Sequence, residues 1–360
     1  MRNRKRNVLG WLTGWLVPLV LFTGCTGGGT AEKYSTHFYG VFDTVVEIQA
    51  YAENQESFQR FAESVETRMR ELHQLFDIYH TYDGMNNLKT VNDQAGKKPV
   101  QVAEEAIDLL SLYSEWYTKT GGAVDPTLGP LLAVWHDYRE AYQSDPSQGR
   151  VPSEEELEAA AQLCVFSGLE IDPEASTLYL KHPGMRLDVG AAAKGYAAQL
   201  AAEESSKEGV FSYLISAGGN IIASGAPCDG RRSKWAVGIQ QPFAETAGQY
   251  ADVLYVTDCA VVTSGDYQRY YVADGKIYGH IIDPTTRMPA EEYHSVTILG
   301  EYSGISDLLS TAAFILPYPE SRRLVEENGA DAIWIFSDGR IEATEGAVQV
   351  MRDLGGATAE

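Results

Sequence analysis

Between Ser57 and Phe76, apolar residues recur at Phe58, Phe61, Val65, Met69, Leu72 and Phe76, and charged residues fill the gaps. Spacings of three and four place such positions on one stripe, so the pattern predicts an amphipathic helix over 57–76. Related patterns predict helices over 104–120, 128–138, 153–163 and 306–316, with Ser153 and Glu156 spaced as a capping box. Residues 35–51 are strand-like, and Phe42-Asp-Thr-Val-Val-Glu-Ile reads as the first strand. Further strands are predicted over 178–180, 185–189, 235–240, 251–256, 260–264 and 296–299. The run from Phe211 to Gly225 reads as a strand interrupted by Gly218-Gly219, and glycine there marks close approach of a ligand or another backbone. Two hairpins are expected: 269–282, turning at Ala273-Asp-Gly-Lys, and 332–336 with 340–344 across Ser337-Asp-Gly. Strand clusters with intervening helices exclude a simple alternating parallel sheet.

The N-terminus breaks this pattern. Met1-Arg-Asn-Arg-Lys-Arg-Asn is basic, and Val8 to Phe22 is an apolar run of signal-peptide length, short for a membrane span. It ends in Leu21-Phe-Thr-Gly-Cys25, which resembles the lipobox of bacterial lipoproteins although Phe22 stands where leucine is commonest. The resemblance implies that Cys25 is lipidated and becomes the mature N-terminus. An ordinary cleaved signal or an uncleaved anchor is the alternative. The expected organisation is a signal peptide over 1–24, a flexible tether over 25–34 and a body over 35–350. That places the body at the extracytoplasmic face of the cell membrane, held by lipid.

Charge narrows the partners. The net charge is −22, and the first 25 residues carry only basic groups, so the body is more acidic still. Nucleic acid is excluded as a partner, because phosphate contacts need a basic face. An acidic protein that binds a nucleotide polyanion needs a metal ion or a local basic pocket. The four cysteines show no metal-type spacing and no paired framework.

Four stretches carry chemistry. Arg186-Leu-Asp-Val-Gly-Ala-Ala-Ala-Lys-Gly-Tyr-Ala reads as a strand end, a tight turn and a helix of small residues. Small side chains let a ligand approach the backbone N–H groups and the positive end of the dipole. Lys194 can reach a diphosphate there, and Asp188 can bond the ligand or a metal's waters. The same stretch also reads as an Ala-rich helix packed on a sheet. Asp307 and Thr311, four apart at a helix start, put two oxygens on one face, which suits a hard cation such as Mg²⁺. An aspartate favoured by the dipole, with Ser306 as cap, is the plainer reading. His280 near a strand end can act as a base near neutral pH, or can be a structural histidine. Tyr79, His80 and Tyr82 form an aromatic loop able to stack on a flat ring or to cover the core. No Gly-x-Ser-x-Gly elbow, Cys/His pair or His-rich motif is present, which argues against the commonest covalent and zinc hydrolases.

Taken in order, Phe42-Asp-Thr, Phe76-Asp-Ile-Tyr-His, Gly122-Ala-Val-Asp-Pro-Thr-Leu-Gly-Pro-Leu, Leu187-Asp-Val-Gly-Ala-Ala-Ala-Lys-Gly-Tyr-Ala, Ser216-Ala-Gly-Gly-Asn-Ile, Thr263-Ser-Gly-Asp-Tyr, His280-Ile-Ile-Asp-Pro-Thr-Thr and Ser306-Asp-Leu-Leu-Ser-Thr-Ala resemble the ApbE-type flavin transferases. The resemblance runs over roughly 35–345. It implies an α+β, T-fold-related structure with a mixed, largely antiparallel sheet core, flanking helices and an FAD cleft between two lobes. It further implies Mg²⁺-dependent cleavage of FAD, release of AMP and placement of FMN on a Ser or Thr hydroxyl of an extracytoplasmic protein. By position, Asp307, Thr311 and the carbonyl of Ala191 would hold the metal. Phe42 and Tyr79 would meet the flavin, and Ala123, Val124, Asp125, Asp188, Lys194 and Ile281 would contact FAD. His280 would be the base, with Lys194 stabilising charge on phosphate. Phe42-Asp43 stands where Met-Gly is usual, and Arg287 where glycine is common. An FAD diphosphatase and a non-catalytic flavin-binding lipoprotein are the alternatives.

Overall fold

The computed structural model describes residues 31–360 except 245 and 247. Cys25, the signal peptide and most of the tether lie outside the described residues. The first ordered element is a hairpin, β1 (Glu32–Val41) and β2 (Thr44–Ala52), in place of one strand starting at Phe42. β1 therefore takes in residues that the sequence reading assigned to the tether. Val41 pairs with Thr44, leaving Phe42 and Asp43 as a two-residue turn with φ of 50° and 52°. Two central residues at positive φ match the right-handed twist of the flanking strands. α1 (Gln55–Phe76) follows, its start fixed by a capping box between Asn54 and Ser57.

Next come α2 (Leu88–Asp93), β3 (Val100–Gln101), α3 (Glu104–Lys119), α4 (Gly129–Ser144), α5 (Glu154–Ala161), β4 (Leu169–Asp172) and β5 (Thr177–Leu180). The short α2 has no apolar period to betray it and is held by a capping box of Asn87 and Thr90. Residues 185–189 are extended but form no strand. The N–H of Leu187 donates to Asn92 Oδ1 at 2.7 Å and that of Asp188 to the Pro126 carbonyl at 2.8 Å, so no ladder forms.

The remainder is α6 (Ala193–Ser205), β6 (Ser212–Ala217), β7 (Asn220–Ser224), β8 (Trp235–Gln240), β9 (Tyr250–Val256), β10 (Cys259–Gly265), β11 (Tyr270–Ala273), β12 (Lys276–Gly279), β13 (Tyr293–Gly300), α7 (Ser303–Ile315), α8 (Tyr318–Glu327), β14 (Asp331–Phe336), β15 (Ile341–Ala343) and α9 (Glu345–Val350). Gly218-Gly219 does not break one strand. It turns the β6–β7 hairpin, with both glycines at positive φ. α7 begins before Ser306, so Tyr302 is its N-cap residue and Asp307 lies in its second turn.

Eight strands form the main sheet in the order β1-β2-β6-β7-β10-β13-β14-β15, and neighbours are antiparallel. One face packs on α1, α6 and α7 through Val46, Ile48, Ile215, Val296, Ile298, Leu308 and Ala312. The other is covered by the β8–β9 hairpin and α9 through Val237, Leu254, Val261, Ile333 and Met351. A separate small core joins α4, α5 and the β11–β12 hairpin around Leu131, Trp135, Leu157, Tyr271 and Tyr278. It forms a second lobe, and the expected α+β architecture holds, with helices flanking an antiparallel sheet.

Candidate active site

A cleft of about 960 Å³ opens between the sheet-and-helix layer and the second lobe. The β1–β2 turn brings Phe42 to it, and the loop after α1 brings Tyr79. The loop before α4 brings Ala123, Val124 and Asp125, and the turn into α6 brings Asp188, Ala191 and Lys194. His280 and Ile281 follow β12, and α7 contributes Asp307 and Thr311. All residues that the family resemblance placed in the site therefore line one cavity, whereas Tyr82 of the aromatic loop does not.

The closest packing is between α6 and α7. Ala192, the N-cap of α6, offers no side-chain cap. Asp307 supplies it from the neighbouring helix, with Oδ2 accepting the Gly195 N–H at 2.9 Å. Lys194 Nζ lies 4.0 Å from the same oxygen. The N–H groups of Ala192 and Ala193 both turn back to the Val189 carbonyl. The helix start thus offers a ligand fewer free amides than its sequence suggests. Burial raises the Asp307 carboxyl above the usual range, against the opposing pull of Lys194 and the Gly195 N–H. Thr311 adjoins a chain of hydroxyls: Ser264 Oγ is 3.4 Å from Thr311 Oγ1 and 2.7 Å from Ser310 Oγ, which donates to the Asp307 carbonyl at 2.8 Å.

These are hard oxygen donors around one buried carboxylate, a set that fits a hard divalent cation. Among the described residues no group of three or more His, Cys, Asp or Glu could hold a metal. A cation at Asp307 would complete its shell from hydroxyl, backbone carbonyl, water and ligand oxygens, the habit of Mg²⁺.

The remaining carboxylates are partly engaged. Asp125 Oδ1 accepts both the N–H and the hydroxyl of Thr127 at 2.7 Å, pinning the loop before α4. Asp188 Oδ1 accepts the Gly190 N–H at 2.8 Å. Burial raises both carboxyls. In the aromatic loop, Asp77 accepts from the Tyr79 N–H at 2.6 Å and the Tyr82 hydroxyl at 2.8 Å. Tyr82 is therefore a brace of the loop, and does not stack in the cleft. Tyr79 is 48% exposed, with His136 at 5.7 Å and the Arg186 guanidinium at 5.8 Å from its ring.

Burial, together with repulsion from Arg269, Arg139 and Lys194, lowers the His280 pKa to about 3. Its imidazole is neutral at physiological pH, and Nδ1 has no hydrogen-bond partner among the described residues. Sequence reasoning missed Arg139, Arg186 and Arg269, which also line the cleft. They come from α4, the 185–189 segment and the approach to β11, and no spacing links them. With Lys194 they bring four positive charges to a cleft that Asp43, Asp77, Asp125, Asp137, Asp188 and Asp307 also line.

The sequence profile of the ApbE family matches residues 42–334. The FAD:protein FMN transferase of Treponema pallidum is 32% identical over 367 residues, covering 97% of this chain and 98% of the relative. That of Escherichia coli K12 is 28% identical over 284 residues, covering 78% and 79%. The crystal structure of the ApbE protein from Thermotoga maritima shares the fold with a TM-score of 0.74 at 30% identity, over 88% of this chain and 98% of that one. With nearly full-length relatives, a shared fold and a family match over most of its length, this chain belongs to the ApbE family.

Proposed function

We propose that this chain is a Mg²⁺-dependent FAD:protein FMN transferase that joins FMN by a phosphoester to a Ser or Thr hydroxyl of an extracytoplasmic protein and releases AMP. The observation that carries this reading is the meeting of Asp307, Thr311, Lys194, His280 and Tyr79 in one cleft of a chain whose relatives bear that name.

In this reading Tyr79 and Phe42 flank the flavin ring, with Tyr79 exposed enough to stack on it. Ala123, Val124, Asp125, Asp188 and Ile281 line the rest of the FAD path. Asp307, Thr311 and the Ala191 carbonyl hold Mg²⁺, which when bound neutralises diphosphate charge and polarises phosphorus. Lys194 stabilises negative charge on the phosphate oxygens. The acceptor hydroxyl oxygen attacks the FMN phosphorus and the bond to the AMP oxygen breaks. The hydroxyl proton passes to the imidazole of His280, whose basicity rises when diphosphate charge offsets the repulsion of Arg269, Arg139 and Lys194. Cys25 carries the lipid that holds the chain at the membrane.

The test mixes the full-length chain with FAD, Mg²⁺ and a flavoprotein subunit bearing a threonine acceptor, and follows in-gel flavin fluorescence with AMP release. Covalent fluorescence matched by AMP, both lost in Asp307→Ala, is the expected result. AMP without fluorescence supports water as the acceptor, hence an FAD diphosphatase. FAD binding with neither signal leaves a flavin-binding lipoprotein.

A further inference from the structure

Tyr113 on α3 is 1% exposed; the backbone N–H groups of Ala191 and Ala192 approach its hydroxyl oxygen, yet no described residue accepts its proton. A buried phenol proton without an acceptor has given up its water contact without return. Phenylalanine would fill the same volume without that penalty. Other buried tyrosines avoid the penalty: Tyr293 donates to the Leu316 carbonyl at 3.2 Å and Tyr271 to the Arg150 carbonyl at 3.1 Å. Unlike Tyr293, Tyr113 borders the cleft. Its hydroxyl lies beside the backbone amides of Ala191 and Ala192, and the charges that act on it are those of Asp188 and Asp307. Burial, reinforced by those two carboxylates, keeps the phenol protonated, so it is a donor.

We propose that the Tyr113 hydroxyl is a further contact of the phosphate and cation subsite, donating its proton to an oxygen that arrives with FAD and its divalent ion. The inference rests on the reading of the cleft given above. Its chemistry is that of a neutral donor aimed at an anionic or metal-polarised oxygen, either a diphosphate oxygen or a metal-bound water. Such a bond gives the phenol proton its acceptor, which explains why a hydroxyl stands at this buried position.

Tyr113→Phe removes one oxygen and little else. The full-length wild type, Tyr113→Phe and the control Tyr293→Phe are melted without ligand, with Mg²⁺ alone, with FAD and a chelator, and with both ligands. FAD affinity is measured by quenching of flavin fluorescence. We expect ligand-free Tyr113→Phe to melt at or above wild type, while its ligand-induced shift shrinks and its Kd for FAD with Mg²⁺ rises about fivefold to tenfold. Tyr293→Phe should do the opposite, melting lower and binding normally. A loss with FAD and chelator identifies a phosphate oxygen as the acceptor, and a loss only when Mg²⁺ is present identifies a metal-bound water. Unchanged FAD affinity in Tyr113→Phe, whatever its melting temperature, overturns the proposal while the functional reading stands. A wild type that binds neither FAD nor Mg²⁺ overturns both.

Discussion

Asp307 illustrates how a single residue can oppose folding and serve a site. Burial raises its carboxyl pKa above the unfolded value. A group raised in this way stabilises the fold below its unfolded pKa, and loses that contribution as pH rises through the folded value. At neutral pH Asp307 therefore opposes folding, and Asp307→Asn should raise stability by roughly 1 kcal/mol, since Oδ1 of asparagine can still cap α6. The same variant should lose the rise in melting temperature on adding Mg²⁺. A variant less stable than wild type that keeps the Mg²⁺ response would contradict this account. His280 has the opposite sign. Its folded pKa, about 3, lies below the unfolded value, so its contribution is present above about pH 6.5 and declines as pH falls from there toward 3. Melting curves from pH 4 to 8 should show a weaker acid loss in His280→Gln, by up to about 1 kcal/mol per pH unit. An imidazole of ligand-free His280 titrating near 6.5 by NMR would overturn this. Asp307, Thr311 and His280 were legible in the sequence because each sits in a short motif. The low basicity of His280 was not, because burial, its main cause, and the approach of Arg139 arise only once the cleft is folded.

At the scale of elements, the α6–α7 contact sets the geometry of the cleft. A Cβ on Gly195 would meet the Ser303 carbonyl oxygen at 2.4 Å and Asp307 Cβ at 2.8 Å. Gly195→Ala gains about 1 kcal/mol of helix propensity. Forcing two helices apart against a backbone carbonyl costs about 1–3 kcal/mol, so the net effect should be destabilising. Urea denaturation should show a lower midpoint, with the Mg²⁺ response weakened as Asp307 moves. A midpoint above wild type would show that the helices yield freely. The two departures from the family pattern also belong here. Asp43 and Arg287 both hold φ in the left-handed region, at 52° and 64°, where glycine carries no Cβ penalty. The turns keep their shape without glycine: the Arg287 carbonyl still accepts Trp135 Nε1 at 3.0 Å, and the Arg269 guanidinium reaches the Asp43 carbonyl at 3.4 Å. Long helices such as α1 were legible from apolar spacing, whereas α2, α8 and the β1–β2 hairpin were not. Two strands joined by a two-residue turn read as one alternating run, and only pairing reveals the fold-back.

At the scale of the whole molecule, the cleft joins segments from residue 42 to residue 311, across the main sheet layer and the second lobe. Arg139, Arg186, Lys194 and Arg269 line it beside six aspartates, which places the positive charge that a polyanion needs inside a chain of net charge −22. Anchoring is a separate matter, proposed from the first 25 residues. Cys25→Ala should abolish incorporation of labelled palmitate and shift the chain out of the membrane fraction, and retained label would remove the lipoprotein reading. The sequence by itself determined the helices with clear apolar periods, most of the strands, the motif residues of the site and their order, because these depend on near neighbours in the chain. Only the tertiary structure decided that Asp307 caps α6, that Arg139 and Arg269 act on a neutral His280, that Tyr82 braces its loop and that Tyr113 faces the turn before α6. Apart from the Tyr82–Asp77 bond within one loop, those relations depend on the packing of sheet, helices and second lobe, which creates the burial and proximity that their chemistry needs.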